Sequence, residues 1–424
     1  MINNLRGKFN PNNKKKGNKI YLRFFIFIFH LIIVYKALNT QISFDEAYTF
    51  LQYVYTDDIL NFGLANNHLL NTFLMYSLSF IDYDLFLLRL PNLIFGSLYL
   101  LSSYYISLKV KYRYLTLTIL ICSPYLIDFF SIARGYGISA ALTLIGLTNY
   151  YFSNYKYKMQ ISLFLFILSS YSIHITIILL FVFILFNFDY FIYKLNTVKI
   201  LSLIFTVVLS TPVIYLVFNI TNIDKPLYGV EDISFLYLIK SSFGFNGLYV
   251  SDTTIFNLFL NSLFISPLIF FQSHTLKTKR VIGMTYLTVL LLYLLPFIFG
   301  RPFPIYRVLI PFLPMVLFSL VLTIDSIFNR FYFKYQKSFS FIVGFIILFN
   351  FLGTLQFNDY FDWDNFYDKE LQISFSQVED SENCIFDFPD ELRDPSTDYY
   401  RLIASIEKPI YCDYDTKRIG TNAK

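Results

Sequence analysis

Long apolar runs separated by short polar connections are the main pattern along this chain. A helix that crosses a bilayer needs about 20 mainly apolar residues, and by this length the sequence predicts about eleven spans. The predicted spans are 20–38, 88–108, 114–129, 136–153, 159–173, 174–193, 197–219, 255–272, 281–299, 307–328 and 338–356. The pattern therefore predicts an all-α, polytopic membrane protein whose transmembrane domain covers residues 20–356.

A shorter apolar run extends from about Leu69 to Ile81. Runs of this length are more typical of interfacial or re-entrant helices than of spans. We therefore expect residues 39–87 to form a loop with an interfacial helix between the first two spans. The fifth and sixth predicted spans form one apolar run, which is broken only between Ser169 and His174.

Basic residues indicate which side of the membrane each connection faces. If the N-terminal segment 1–19 is cytoplasmic, every predicted inner connection carries lysine or arginine, as the positive-inside rule requires. The inner clusters are Arg6, Lys8, Lys14, Lys15, Lys16 and Lys19; Lys109, Lys111 and Arg113; Lys156 and Lys158; Lys194 and Lys199; Lys277, Lys279 and Arg280; and Arg330, Lys334 and Lys337. Counting the Leu69–Ile81 run as a span would place the later clusters outside. The loop 39–87 and the tail 357–424 are therefore predicted to be extracytoplasmic.

The composition fits the same class of protein. Hydrophobic residues make up 56% of the chain and charged residues 15%, which is too apolar for a soluble globular protein. The formal net charge of +5 does not indicate a nucleic-acid partner, because the cations are distributed over the inner connections. We expect a multi-pass protein of the cell membrane (inner or plasma), surrounded by membrane lipid, with a cytoplasmic N-terminus and an extracytoplasmic C-terminus.

The polar, acidic tail 357–424 is predicted to form a small α/β domain. Segments 383–388 and 410–414 are typical of short strands, and a helix is expected near 397–406. Cys384 and Cys412 could form a disulfide if the tail lies outside the cell. The three cysteines, which include Cys122, do not have the spacing of a metal site.

Candidate chemistry is concentrated on the predicted outer face. An acidic pair, Asp45-Glu46, follows the first span, and the polar patch Asn66-Asn67-His68 lies in the same loop. Most basic residues lie in the predicted inner connections, but four arginines lie on the predicted outer side. They are Arg89, Arg134, Arg301 and Arg307. The planar guanidinium group suits phosphate, and ionisable groups at membrane depth are functional candidates. A lipid-phosphate substrate would need such cations, together with a carboxylate as base for an incoming hydroxyl.

Simpler interpretations remain open for these residues. The acidic pair could merely solvate an interfacial loop. The arginines could pair with Asp45, Asp57, Asp58 or Asp128 and so tie the outer loops together. His174, a single histidine at the outer end of a span, is expected to be a hydrogen-bonded structural residue.

Several short motifs follow one another in a fixed order along residues 20–320. They are Asp45-Glu46-Ala47, Asn67-His68-Leu69-Leu70, Arg89-Leu90-Pro91, Ser123-Pro124, Ala133-Arg134-Gly135-Tyr136, and Arg307 with Pro311 and Pro314. Together they resemble the dolichyl-phosphate-mannose protein mannosyltransferases and aminoarabinose transferases, which are GT-C integral-membrane glycosyltransferases. The order is more specific than any one motif. The chain departs from this family where His68-Leu69-Leu70 replaces the usual His-Pro-Pro.

The resemblance implies an inverting transfer of one sugar at the outer face of the membrane. The donor would be a polyprenyl-phosphate sugar, and the acceptor a glycan, a lipid or a protein. Asp45 would be the catalytic base, and Glu46 would orient the acceptor or tune its neighbour. The substrate-binding residues would be His68, Arg89, Arg134, Tyr136, Arg301 and Arg307, with Asp128 the nearest candidate for a further acid of the second outer loop. Some relatives use a divalent metal, but we predict no cofactor and no metal site here.

Two other classes of protein use similar lipid-linked substrates. A transporter or flippase for lipid-linked saccharides would show internal symmetry and charged residues in broken helices at mid-membrane. A surface-polysaccharide polymerase would also keep arginines on the outer face, but its main functional loop would come late in the chain. Here the acidic pair lies in the first loop, which favours the transferase.

Overall fold

A computed structural model describes residues 11–60, 67–193, 196–221, 266–269, 271, 274–299, 306–330, 335–358 and 399. Every regular element within these ranges is helical, which confirms the all-α prediction for this part of the chain. The α-helices are α1 (Pro11–Asn39), α2 (Phe44–Thr49), α3 (Leu69–Ser79), α4 (Leu85–Lys109), α5 (Arg113–Ile121), α6 (Pro124–Ser131), α7 (Gly135–Phe152), α8 (Lys158–Ser172), α9 (Ile177–Phe186), α10 (Phe188–Ile192), α11 (Thr197–Thr221), α12 (Leu276–Phe299), α13 (Leu313–Arg330) and α14 (Gln336–Thr354). A π-helical segment, Phe50–Val54, continues α2, and 3₁₀ segments occupy His174–Thr176 and Tyr306–Phe312.

Several helices are suited to cross a bilayer. Five described helical stretches are long and apolar enough, and they are Ile20–Asn39, Leu85–Lys109, Thr197–Val217, Arg307–Arg330 and Gln336–Thr354. The pair α5 and α6 adds a sixth if it is one broken span. The chain is therefore built as a multi-pass membrane protein. The number of about eleven spans stays a prediction, and most of the predicted span 255–272 lies outside the described residues.

Breaks in the apolar runs divide some predicted spans. The predicted span 114–129 is divided into two helices, because α5 and α6 meet at an angle of 58°. Pro124 explains the bend, since proline has no amide hydrogen to donate and disfavours a helical conformation at Ser123. The break expected between Ser169 and His174 is present, because α8 ends at Ser172 and a 3₁₀ turn precedes α9. The short helix α3 occupies the run predicted to be interfacial.

The core lies in the middle of the helix bundle. The stretch Arg307–Arg330 is 83% buried, whereas α11 and α14 are each 22% buried over their apolar windows. The outer helices present large apolar side chains outward, such as Phe341, Phe345 and Phe349 of α14. A soluble protein would bury such residues, so these faces are suited to lipid.

A second, smaller hydrophobic cluster is formed mainly by residues of the loop 39–87. Its buried members include Ile42, Phe50, Met75 and Tyr399. The ring of Tyr399 packs edge-on against Phe50 at 5.3 Å between centroids, and its hydroxyl donates to the Tyr83 carbonyl at 2.9 Å. This is the one tail residue beyond 358 that the structure describes. The predicted tail strands, the disulfide and Arg301 lie outside the described residues.

Two polar layers lie at opposite ends of the helices. In one layer the predicted inner connections contact one another: the Lys111 amide donates to Asp325 Oδ1 at 2.7 Å, and Arg280 pairs with Asp189 at 2.6 Å. The other layer contains Arg89. Since α4 carries Arg89 in its first turns and ends at Lys109, the layers are separated by roughly 30 Å of helix.

Candidate active site

The acidic pair is positioned by a helix cap immediately after the first apolar helix. Ser43 is the N-cap of α2, and its hydroxyl accepts a hydrogen bond from the Glu46 amide at 3.3 Å. The Glu46 carboxylate accepts in return from the Ser43 amide at 2.9 Å. The sequence Ser-Phe-Asp-Glu matches the pattern of this reciprocal capping box. It turns the chain into α2 and places both acids in the first turn, where the helix dipole favours negative charge.

Glu46 is fully engaged by the protein. Its two carboxylate oxygens accept from Arg89 Nε at 2.9 Å and Arg89 Nη2 at 2.8 Å, and Oε1 also accepts from the Ala133 amide at 2.5 Å. The residue is 1% exposed. Burial alone would raise the pKa of Glu46, but the Arg89 guanidinium and the two backbone amides hold it below its usual value. Glu46 is therefore a charged, buried residue that connects the first loop to α4 and to the segment before α7.

Arg89 closes the end of α1. Its Nη1 donates to the carbonyls of Ala37 at 3.0 Å and Thr40 at 2.7 Å, and its Nη2 donates to the Gln41 carbonyl at 2.6 Å. The last carbonyls of a helix have no partner within the helix, so a buried guanidinium group satisfies them. With Glu46 as its partner and no exposed surface, Arg89 has a structural role in this geometry. The resemblance implied a substrate contact for Arg89, whereas these contacts are with the protein itself.

Asp45 lies between two other arginines. Its Oδ2 accepts from Arg307 Nη1 at 2.5 Å and lies 3.5 Å from Arg134 Nη2. Arg134 also donates to the Asp45 carbonyl and to Thr49 Oγ1, each at 3.0 Å. Arg134 is fully buried, whereas the Arg307 side chain is 23% exposed. The structure thus joins residues that are 89 and 262 positions away from Asp45 in the sequence.

The connection between α6 and α7 places Arg134 in this cluster. Arg134 has an extended backbone, and the carbonyl of Ala133 before it accepts from Asn71 of α3 at 2.9 Å. Gly135 follows because there is no room for a side chain. A Cβ there would lie 2.3 Å from the Ser172 carbonyl, far inside van der Waals contact. The close approach of α7 to the end of α8 therefore requires glycine at this position.

His68 faces the same cluster from the N-terminus of α3. Its ring packs edge-on against Tyr136 at 4.9 Å between centroids, and the Arg134 guanidinium lies 5.7 Å from the Tyr136 ring. His68 is 3% exposed. Burial, followed by the charges of Arg134, His174 and Arg307, lowers the pKa of His68 well below its usual value. His68 is therefore a neutral imidazole at neutral pH.

A buried ion pair lies beside the cluster and was not predicted. Lys36 Nζ lies 2.8 Å from Asp128 Oδ1 and donates to the Gln356 carbonyl at 2.5 Å. It links α1, α6 and the segment after α14. The available signal was a single lysine inside the first apolar run, since charged groups at that depth need a partner. Asp128, the candidate for a further acid of the second outer loop, is thus paired with Lys36.

Most of the predicted site residues meet at one end of the bundle. The structure brings together Asp45, Glu46, His68, Arg89, Arg134, Tyr136 and Arg307. Among the described residues, no group of three or more histidine, cysteine or acidic side chains could hold a metal ion. The site offers a carboxylate, guanidinium groups and a neutral imidazole.

No protein-family model, curated protein or solved structure matches the chain.

Proposed function

We propose that this protein is an integral-membrane glycosyltransferase. It moves one sugar, with inversion, from a polyprenyl-phosphate donor to a hydroxyl group of a glycan, lipid or protein acceptor. The observation that carries the proposal is the position of the Asp45 carboxylate between Arg134 and Arg307, at the polar end of an apolar helix bundle. A base and a phosphate-binding pair are the groups that this reaction needs.

Asp45 acts as the general base. It accepts the proton of the acceptor hydroxyl as that oxygen forms a bond to the sugar anomeric carbon. The bond from this carbon to the phosphate oxygen breaks on the opposite face, which inverts the configuration. A positioned base of this kind contributes typically about 10²–10⁴-fold to the rate.

Arg134 and Arg307 bind the departing phosphate. Guanidinium groups form strong, charge-assisted hydrogen bonds with phosphate, and preorganised cations stabilise the charge that develops on the leaving group. Arg307 is partly exposed, and its guanidinium contacts Asp45. A bound phosphate draws Arg307 to itself, and the carboxylate is then released to act as a base.

Glu46 and Arg89 are positioning residues in this scheme. Their ion pair ties the loop of Asp45 to the end of α1, and the Ala133 amide ties it to the segment that carries Arg134. The pair therefore sets the distance between the base and the phosphate-binding arginine. It needs no contact with the substrate to do so.

The reaction takes place on the extracytoplasmic side of the cell membrane. The basic connections gather at the end of the bundle opposite to Asp45. Under the positive-inside rule that end is cytoplasmic, so the site opens outward. The N-terminus is then cytoplasmic.

The test is a transfer assay with Asp45→Asn. Membranes containing the full chain are supplied with a panel of labelled polyprenyl-phosphate hexoses and pentoses, and label in glycan, lipid and protein fractions is counted. We expect the variant to lose about 10²–10⁴-fold in transfer rate per amount of folded protein. Asp189→Asn is the matched control, because Asp189 also pairs with an arginine but is at the other polar end. Unchanged transfer by Asp45→Asn, or an equal loss in both variants, would contradict the proposal.

A further inference from the structure

The break between α8 and α9 brings a second histidine to the site. Ile173 has an extended backbone, with φ −140° and ψ 106°, and His174 begins the 3₁₀ turn that follows. This turn packs against the 3₁₀ segment Tyr306–Phe312, which carries Arg307. An uninterrupted helix would have kept His174 in the apolar run. The break instead places it beside the arginine cluster, close enough to His68 for their charges to interact.

Within the described part of the chain, the His68 imidazole lacks the well-aligned hydrogen-bond partners that buried polar groups normally have. Both ring nitrogens of His68 are buried, and neither has a partner in good hydrogen-bond geometry among the described residues, although the Ser172 carbonyl lies nearby. His174 has no side-chain hydrogen bond within the same set, and it keeps partial exposure. Buried polar groups without partners cost free energy, and native proteins satisfy nearly all of them. A ligand group beside His68 would supply these partners, and the partly exposed His174 is accessible to the same ligand.

The chemistry of the pair indicates the kind of ligand group. A neutral imidazole has one donor and one acceptor, which complements a hydroxyl group, itself both a donor and an acceptor. The neighbouring guanidinium groups disfavour a positive charge on His68, so this ring does not serve as a second cation for phosphate. The arginines therefore provide the anion site and the histidines a site for hydroxyl groups beside it. A sugar phosphate presents both groups within a few ångströms.

We propose that His174, together with His68, binds hydroxyl groups of the sugar that is transferred. The inference rests on the proposed function and assigns the sugar subsite of the same site. His174 is thus a substrate-binding residue and not the structural histidine that its position at a helix end predicts. His174 is the more exposed of the two histidines.

The test compares the binding of a sugar-free lipid and of sugar-bearing lipids to the purified full-length protein in nanodiscs. One lipid is polyprenyl phosphate without sugar, and the others are polyprenyl-phosphate hexoses and pentoses. His174→Leu removes the hydrogen bonds and retains bulk, His174→Phe is a second apolar replacement, and His174→Gln retains a donor and an acceptor. For His174→Leu we expect sugar-bearing lipid to bind roughly five- to tenfold more weakly, with binding of the sugar-free lipid unchanged. His174→Gln should restore most of the loss.

The sugar-free lipid also serves as the folding control, because a variant that binds it normally has an intact arginine cluster. Wild-type affinity of both apolar variants for the sugar-bearing lipids would overturn the assignment of His174. An equal loss for both lipids would also overturn it, since it would show a general structural role. Failure of the wild-type protein to bind either lipid would instead overturn the proposed function, and the sugar subsite with it.

Discussion

Asp45 and Glu46 are neighbours with the same chemistry, but their surroundings differ. Glu46 accepts hydrogen bonds from Arg89 and from two backbone amides, and no face of it remains for a ligand. Asp45 contacts Arg307, whose side chain is partly exposed. The sequence predicted both acids as catalytic because it shows their position after the first span. It could not separate their roles, since Arg89 and Ala133 are 43 and 87 positions from Glu46.

Replacement of Glu46 by glutamine should reveal its structural role. The change leaves the Arg89 guanidinium buried without its counter-charge, which costs on the order of 3–5 kcal/mol of unfolding free energy. Thermal unfolding of the purified protein should show this as a clear fall in Tm. Arg280→Gln is the matched control, because it breaks an ion pair with a largely exposed partner and should cost about 1 kcal/mol or less. A Glu46→Gln protein that is as stable as wild type but inactive would place Glu46 in the chemistry.

At the scale of the elements, two interruptions of helices contribute to the site. The extended residues before α7 include Arg134, and the 3₁₀ turn before α9 begins with His174. The bend between α5 and α6 is a third interruption. The sequence signalled the break near His174 by a run of serines in an apolar stretch. Pro124 also signalled the bend, but the hydropathy pattern of 114–129 concealed it because both halves are apolar.

Gly135→Ala should disturb the site through its elements. The added Cβ would lie 2.3 Å from the Ser172 carbonyl and 2.8 Å from His68 Cβ, so α7 and α8 must separate. Overpacking of this kind typically costs about 1–3 kcal/mol. We expect a lower Tm and a lower transfer rate, because the shift moves Arg134 and His68.

Gly353→Ala is the matched control, since a Cβ at Gly353 would meet nothing within 4 Å. Alanine is favoured over glycine within a helix by roughly 0.5–1 kcal/mol, so this variant should be as stable as wild type or slightly more stable. Equal effects of the two substitutions on Tm and on transfer would show that close packing at Gly135 is unimportant.

At the scale of the whole molecule, charge and hydropathy predicted the helical class and the two polar layers. They did not predict the side-chain pairings within each layer. The helical class and the short helix α3 follow from run lengths, and the separation of two polar layers follows from where cations occur. The pairings within each layer depend on how helices pack, which a single sequence does not encode locally. Lys36 with Asp128 and Arg307 with Asp45 are examples, because each joins segments that are distant in the chain.

The orientation of the bundle can be tested with single cysteines. In a background where Cys122, Cys384 and Cys412 are replaced by alanine, Asp82→Cys and Lys156→Cys each place a thiol at an exposed connection. A membrane-impermeant maleimide applied to intact cells should label position 82, because the loop before α4 faces outward. Position 156 should be labelled only after the membrane is permeabilised. The reverse pattern would place Asp45 on the cytoplasmic side and contradict transfer at the outer face.

The central claim is that Asp45 and the lipid phosphate use the same arginines. The most direct measurement is the affinity of the purified protein in nanodiscs for polyprenyl phosphate, compared among wild type, Asp45→Asn and Arg307→Gln. Asp45→Asn should bind this lipid at least as tightly as wild type, because a competing carboxylate is removed. Arg307→Gln should bind it roughly ten- to a hundredfold more weakly, since a charge-assisted hydrogen bond is lost. Weaker binding by Asp45→Asn together with unchanged binding by Arg307→Gln would contradict the account.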